Sequence, residues 1–286
     1  MFEQEELIPL PEDVFRLIRD IIKDFCGLYF DDSSRYLLEK RLARRVRGLH
    51  FEDFRDYYRF IRYDRRSADE LTAIMDILTV NETYFFREQN QLRAFSEEIL
   101  EELRQLNARQ KTLRIWSAGC STGEEPYTIA MLINEKRAFQ GWDIEIHGSD
   151  INQRVLQVAR KGVYRKNSFR TAEPYFINKY FTEEDGAYRI SDDIKKYVHF
   201  SYLNLLDPFK IRFFSKMDVI FCRNVLIYFD NASRRKVIES FYERLHDGGH
   251  LLLGHAESLI NISTAFTLRH LKNDMVYQRP VKKDAV

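Results

Sequence analysis

The chain has 286 residues, enough for one large domain or two modest ones with a proper core, and 44% hydrophobic against 31% charged residues reads as globular. A formal net charge of +1 excludes a bulk electrostatic pull toward nucleic acid or membrane, and no apolar run approaches the roughly 20 residues needed to span a bilayer. Cys26, Cys120 and Cys222 are far apart, odd in number and outside any C-x-x-C pair, which argues against a disulfide scaffold or a metal site such as zinc and fits a reducing cytoplasm.

The N-terminus MFEQEELIPLPED is acidic and lacks the basic and apolar regions of a secretory signal. Residues from about Pro11 to Phe86 read as helical. Val14, Leu17, Ile18, Ile21 and Ile22 mark one amphipathic helix ending near Gly27, and Asp31-Asp32-Ser33 is the expected cap of the next. That second helix, Arg35 to Arg47, places Leu38, Leu42 and Val46 inward, while Lys40, Arg41, Arg44, Arg45 and Arg47 put five cations within eight positions. A basic face is most often solvated surface, but so few interleaved acids also suit an acidic partner. Phe51 to Tyr63 is an aromatic-rich core helix. Asn81-Glu82-Thr83-Tyr84-Phe85-Phe86-Arg87 follows, read most simply as a cap at Asn81 or Thr83 with core aromatics, before a charged connecting helix from Gln89 to Leu106.

From Lys111 the pattern becomes alternating strands and helices, the mark of a parallel sheet. Leu113, Ile115 and Trp116 form a buried strand leaving through Ser117-Ala118-Gly119, Gly119 and Gly123 bracket a turn, and Pro126 fits the first turn of a helix. Strand, glycine turn and helix bring backbone against a nucleoside. Glu124 and Glu125 in that turn would repel a pyrophosphate and suit a ligand carrying an ammonium and a sulfonium, namely S-adenosylmethionine. A second strand at Ile144 to His147 ends at Gly148-Ser149-Asp150, where an acid accepts a ribose hydroxyl pair or caps the next helix.

Between Lys161 and Tyr197 the periodicity weakens around an Asp185-Gly186 turn, as expected for a small antiparallel excursion, either a flap over the cofactor or a strand-addition site for a peptide. The strand His199 to Leu205 resumes the sheet, and Met217 to Phe221 exits into Cys222-Arg223-Asn224-Val225-Leu226-Ile227-Tyr228, placing Arg223, Asn224 and Tyr228 at the carboxyl end of a strand. A helix from Asp230 to Leu245, a turn at His246 to Gly249, a strand from His250 to Gly254 and an antiparallel edge strand from Met275 to Arg279 complete the pattern.

Taken together, N-E-T-Y-F-F-R, W-S-A-G-C-S-T-G-E-E-P-Y, G-S-D-I, N-L and C-R-N-V-L-I-Y-F resemble the bacterial chemoreceptor glutamate methyltransferases, the CheR family, over nearly the whole chain. The resemblance implies an all-α N-terminal domain (1–87), a connecting helix (88–110) and a Rossmann-like methyltransferase domain (111–286) of α/β class with an inserted β-subdomain (about 161–197). It implies methyl transfer from S-adenosylmethionine to glutamates on the cytoplasmic helices of chemoreceptors, leaving S-adenosylhomocysteine. Carried onto this sequence, cofactor contacts fall on Asn81, Thr83, Arg87, Gly119, Glu125, Asp150, Asn204, Leu205, Arg223 and Asn224. Arg87 and the Tyr228 hydroxyl would orient the target carboxylate, and Arg41, Arg44, Arg45 and Arg47 would meet a glutamate-rich helix. A cytoplasmic monomer follows, with the β-subdomain as a possible dock for a receptor tail. The rival readings are a methyltransferase on nucleic acid, disfavoured because the turn after Asn224 lacks prolines, a nicotinamide oxidoreductase, disfavoured by Glu124 and Glu125, and an inactive cofactor-binding scaffold.

Overall fold

A computed structural model describes residues 8–281; the first seven residues of the acidic N-terminal stretch lie outside this range, as do the last five of the chain. The chain divides into two compact units. One ends at Val80 and includes Tyr228–Ser233; the other runs Asn81–Ile227 and resumes at Arg234.

The first unit is helical. Helix α1 (Glu12–Cys26) buries Val14, Phe15, Ile18, Ile22 and Cys26 at helical spacing and stops at Gly27, whose φ of 81° suits glycine and whose N–H returns to Lys23 O. A short 3₁₀ turn (Asp32–Ser34) precedes α2 (Arg35–Gly48). There the Asp31 carboxylate accepts from the Ser33 and Ser34 hydroxyls, so the expected acidic cap holds side chains and not the helix backbone. Helix α3 (Phe54–Tyr63) starts three residues later than its aromatic pattern suggests, because Asp53 accepts from Arg55 N and Asp56 N. Helix α4 (Ser67–Leu78) completes the unit, with Ile74, Met75 and Leu78 inward.

In the second unit α5 (Gln89–Ala94), one π turn (Phe95–Ile99) and α6 (Leu100–Leu106) form a continuous helix. It is no mere connector: Leu92, Phe95, Ile99, Leu100 and Leu103 are buried in the core, with Phe95 edge-on to Phe221 at 5.2 Å. The segment Asn81–Arg87 belongs to this unit and not to the helical one. Its aromatics explain why: Phe85 stacks on Phe169 at 5.0 Å and meets Tyr164 and Phe181 edge-on, and Phe86 tilts against Phe176 at 4.5 Å. Residues 79–86 are non-helical, so neither Asn81 nor Thr83 caps a helix.

The remaining elements are β1 (Thr112–Ala118), α7 (Glu124–Asn134), β2 (Asp143–Asp150), α8 (Gln153–Lys161), β3 (Val163–Arg165), α9 (Pro174–Tyr180), β4 (Phe181–Glu184), β5 (Ala187–Ile190), α10 (Asp192–Lys195), β6 (Val198–Tyr202), α11 (Pro208–Ile211), β7 (Met217–Cys222), α12 (Asn231–Arg244), β8 (Leu245–Leu253), β9 (Thr267–His270) and β10 (Met275–Gln278). Seven strands make one sheet in the order β6-β2-β1-β7-β8-β10-β9, with β6 through β8 parallel and β10 antiparallel to both neighbours. The order reverses between β1 and β7, and at such a switch point the carboxyl ends of the strands open a ligand crevice. Leu113, Ile115 and Trp116 are fully buried, and each aliphatic of this kind contributes about 1.5–3 kcal/mol. The Trp116 indole N–H donates to Ser149 Oγ at 2.8 Å, tying β1 to β2.

The expected antiparallel excursion is the second sheet, β3-β5-β4, hinged on Asp185 and Gly186, both left-handed. Two strand expectations change. β10 is interior, with β9 at the edge; β9 carries mostly exposed residues and so has no apolar alternation to reveal it. β8 begins at Leu245 and runs through the expected turn, with Gly248 at a φ of 80°.

Candidate functional site

The glycine turn is built by backbone. Gly119, Ser121 and Gly123 all have positive φ (76°, 49° and 92°), and Gly119 N and Cys120 N both donate to Ser149 O at 2.8 and 2.9 Å. A Cβ on Gly123 would sit 2.8 Å from that of Ala159, so only glycine allows α8 to pack here. Asp150, buried at the end of β2, accepts from Ser121 N and Asn152 N at 2.8 Å each. It does not cap α8; Asn152 does, accepting from Arg154 N and Val155 N. Leu203 N donates to Asp150 O, which brings the buried Asn204 and Leu205 alongside it. Asn81 reaches the turn through its carbonyl, which accepts from Ser121 Oγ at 3.2 Å, while Thr83 lies half-buried on the same segment.

The two turn carboxylates separate in role. Glu124 is buried, accepting from Thr122 Oγ1 and Ser168 Oγ, and its burial pushes its pKa above the usual carboxylate range. It points toward the excursion, where Ser168 draws it into the protein, so of the two turn acids Glu125 is the one that faces Arg223. Glu125 accepts from Ser117 Oγ at 2.7 Å and from Arg223 Nη1 at 3.0 Å.

Arg223 is the hub. Its side chain is 3% exposed and is held by Glu125, by Glu88 at 3.1 Å and by the Arg87 carbonyl. One guanidinium between two carboxylates leaves the cluster at a net charge of −1. Burial pushes the Glu88 carboxyl up, but the Arg223 charge and hydrogen bonds outweigh it, and its pKa lies below the ordinary value. Such a site favours a cationic ligand group. Glu88 was not among the expected residues; the signal was its place directly after N-E-T-Y-F-F-R, and its left-handed φ of 58° aims it back at Arg223. The Arg87 guanidinium donates to Glu82 O and lies 5.7 Å from the Tyr84 ring.

Asn224 follows β7 with a φ of 59°. Its Nδ2 donates to Glu88 Oε1 at 3.3 Å, and its Oδ1 is buried without a hydrogen-bond partner among the described residues. Beneath it, Glu257 accepts from the backbone N–H groups of Asn224, Val225, Ile227 and Gly254.

Tyr228 and the basic helix belong to the helical unit. Tyr228 O accepts from Tyr29 N at 2.9 Å, beside a Leu28–Phe229 bridge. On α2 the cations are not equivalent. Arg45 chelates Glu70, itself 3% exposed, and Arg41 donates to Leu78 O, so both are engaged in holding α2 on α4. Arg47 is half-buried, whereas Lys40 and Arg44 are exposed. No helix among the described residues is long and apolar enough to cross a membrane.

Two family models match in tandem: the all-alpha domain of CheR methyltransferases over residues 13–79, and their S-adenosylmethionine-binding domain over 81–275. Chemotaxis protein methyltransferase 2 of Vibrio cholerae is 40% identical over 277 residues, covering 96% of each chain. Chemotaxis protein methyltransferases of Borreliella burgdorferi and Escherichia coli are 35% and 32% identical, covering 87% and 94% of this chain and 88% and 92% of theirs. With a glycine turn between strand and helix, an acid closing β2 and a net-anionic arginine cluster at the sheet's switch point, the chain belongs to the CheR methyltransferase family and its cofactor is S-adenosylmethionine.

Proposed function

We propose that the chain forms glutamyl methyl esters on the cytoplasmic helices of chemoreceptors, working as a cytoplasmic monomer. The observation that carries this reading is the Glu88–Arg223–Glu125 cluster with the unpartnered Asn224 Oδ1 beside it. These groups suit the cofactor's cationic methionine end, while Asp150, a buried carboxylate closing β2 at the crevice, suits a ribose hydroxyl pair. Asn204 and Leu205 would take the adenine side, and Asn81, Thr83 and Gly119 the backbone around the cofactor.

The cofactor supplies a methyl group on a sulfonium whose sulfur leaves as a neutral thioether. The chain's own residues position the acceptor. A glutamate side chain has a pKa near about 4.3 and is ionised at neutral pH, so no general base is required. Its oxygen must be held in line at roughly 3–3.5 Å. Arg87 and Tyr228 orient this carboxylate and do not activate it, since strong stabilisation of a charge that vanishes in the transition state would slow transfer. The exposed Lys40 and Arg44 provide the part of the basic face that steers a glutamate-rich helix, with Arg41 and Arg45 serving mainly to hold α2 in place. The β3-β5-β4 sheet has an edge at β4 among the described residues, where a receptor tail would add as a further strand.

Labelled methyl transfer to a chemoreceptor cytoplasmic fragment tests the assignment. Arg87→Ala should lose at least about 100-fold in kcat with native circular dichroism. Wild-type turnover in that variant would remove Arg87 from the reaction.

A further inference from the structure

Glu257 lies just past β8, outside every stretch that the sequence marks as part of the site. Its carboxylate divides four backbone donors evenly: Oε2 takes Asn224 N and Gly254 N at 2.7 Å each, and Oε1 takes Val225 N at 2.9 Å and Ile227 N at 3.3 Å. Three of the four belong to the turn that carries Asn224. Successive N–H groups converging this way form a concavity for an anion, and here the protein fills it with its own side chain. Asn224 needs such a hold, because its φ of 59° is sparsely populated for a residue with a Cβ. Gly254 leaves the room: a Cβ there would lie 2.8 Å from both Asn224 N and Asn224 Nδ2, and 2.9 Å from Glu257 Oε2. The side chain that the turn presents to the crevice is the one with the unpartnered Oδ1.

Resting on the reading of Asn224 as a cofactor contact, we infer that Glu257 is a positioning residue that locks the left-handed Asn224 turn, and so fixes the amide against the cofactor's methionine end. It touches neither cofactor nor substrate. In Glu257→Gln one oxygen becomes an NH₂ group, which faces two N–H donors whichever way the amide is turned, so the turn loses half its anchor without loss of volume.

The test is S-adenosylhomocysteine binding to the full chain by calorimetry, in a double-mutant cycle of Glu257→Gln with Asn224→Gly, the latter removing the amide without strain at positive φ. Each single variant should raise Kd about tenfold and the double no further. Saturated methyl transfer should fall about 30- to 100-fold, as expected for a misplaced contact. Wild-type binding by Glu257→Gln beside weakened Asn224→Gly overturns the positioning role and leaves the cofactor contact standing. Wild-type binding by Asn224→Gly overturns that contact and the inference with it. Losses that multiply in the double variant place Glu257 in some other role. Should Glu257→Gln fail to fold, Gly254→Ala displaces the same turn while keeping the carboxylate; tenfold weaker binding supports the lock, and unchanged binding refutes it.

Discussion

The division of labour along α2 gives a sharp prediction. Glu70 is 3% exposed and accepts from Arg45 Nε at 2.9 Å, Arg45 Nη2 at 2.5 Å and the Tyr57 hydroxyl at 2.6 Å. In Arg45→Ala only the tyrosine remains, and Glu70 becomes an uncompensated buried charge. Breaking a fully buried pair this way costs about 3–5 kcal/mol. The Arg45 side chain is 34% exposed, so water reaches Glu70 in the variant, and we discount the loss to about 2–3 kcal/mol. At roughly 2–4 °C per kcal/mol for a chain of this size, Tm should fall by about 4–12 °C. Adding Glu70→Gln should restore at least half of that, since the charge is then gone. Arg44→Ala, at an exposed position, should leave Tm within about 1 °C but raise the KM for receptor at low salt, an effect that fades as salt rises. Differential scanning calorimetry and steady-state methylation on the same preparations decide it. An Arg45→Ala variant with wild-type Tm and a raised KM would refute the assignment of Arg45 to the fold.

The buried His250 should make stability pH-dependent. Desolvation pushes its pKa down to about 4, against the opposing pull of Glu102, so the folded state holds it neutral while the unfolded chain protonates it near about 6.5. Stability is therefore full above that value and declines as pH falls toward 4, by up to about 3 kcal/mol at about 1.4 kcal/mol per pH unit. Urea unfolding at pH 7.5 and 4.5 should show a smaller loss for His250→Gln than for wild type; equal losses would exclude His250. All three cysteines are buried, burial pushing Cys26 up to about 12 and Cys120 and Cys222 well above the ordinary thiol value. A thiol reagent at pH 8 should label none in the native protein and all three in denaturant. Asp150→Ala should weaken S-adenosylhomocysteine binding at least about tenfold by calorimetry; unchanged affinity would remove it from the ribose site.

What the sequence made legible was local. The strand, glycine turn and helix around Gly119 and Gly123 are encoded by neighbours in the chain, and an acid closing a buried strand marks Asp150. The alternation after Lys111 likewise announces the parallel sheet. The errors come from partners far away in sequence. Glu124 and Glu125 look alike until Ser168 buries the first and Arg223 takes the second. Arg45 reads as a surface cation until Glu70, 25 residues on, claims it. Phe85 and Phe86 end a helical stretch in sequence, yet their ring partners lie in the excursion. Glu257, like Asp150, follows a buried strand, but three of its four donors lie some 30 residues upstream.

Ester formation on glutamate is tested most directly by the chemistry of the transferred label. A chemoreceptor cytoplasmic fragment methylated with labelled S-adenosylmethionine is treated with mild alkali, and the volatile fraction is counted. Release of the label as methanol is the expected result, because only a carboxyl ester is cleaved so readily. Label that stays on the protein through alkali would place the methyl group on nitrogen and contradict glutamyl ester formation.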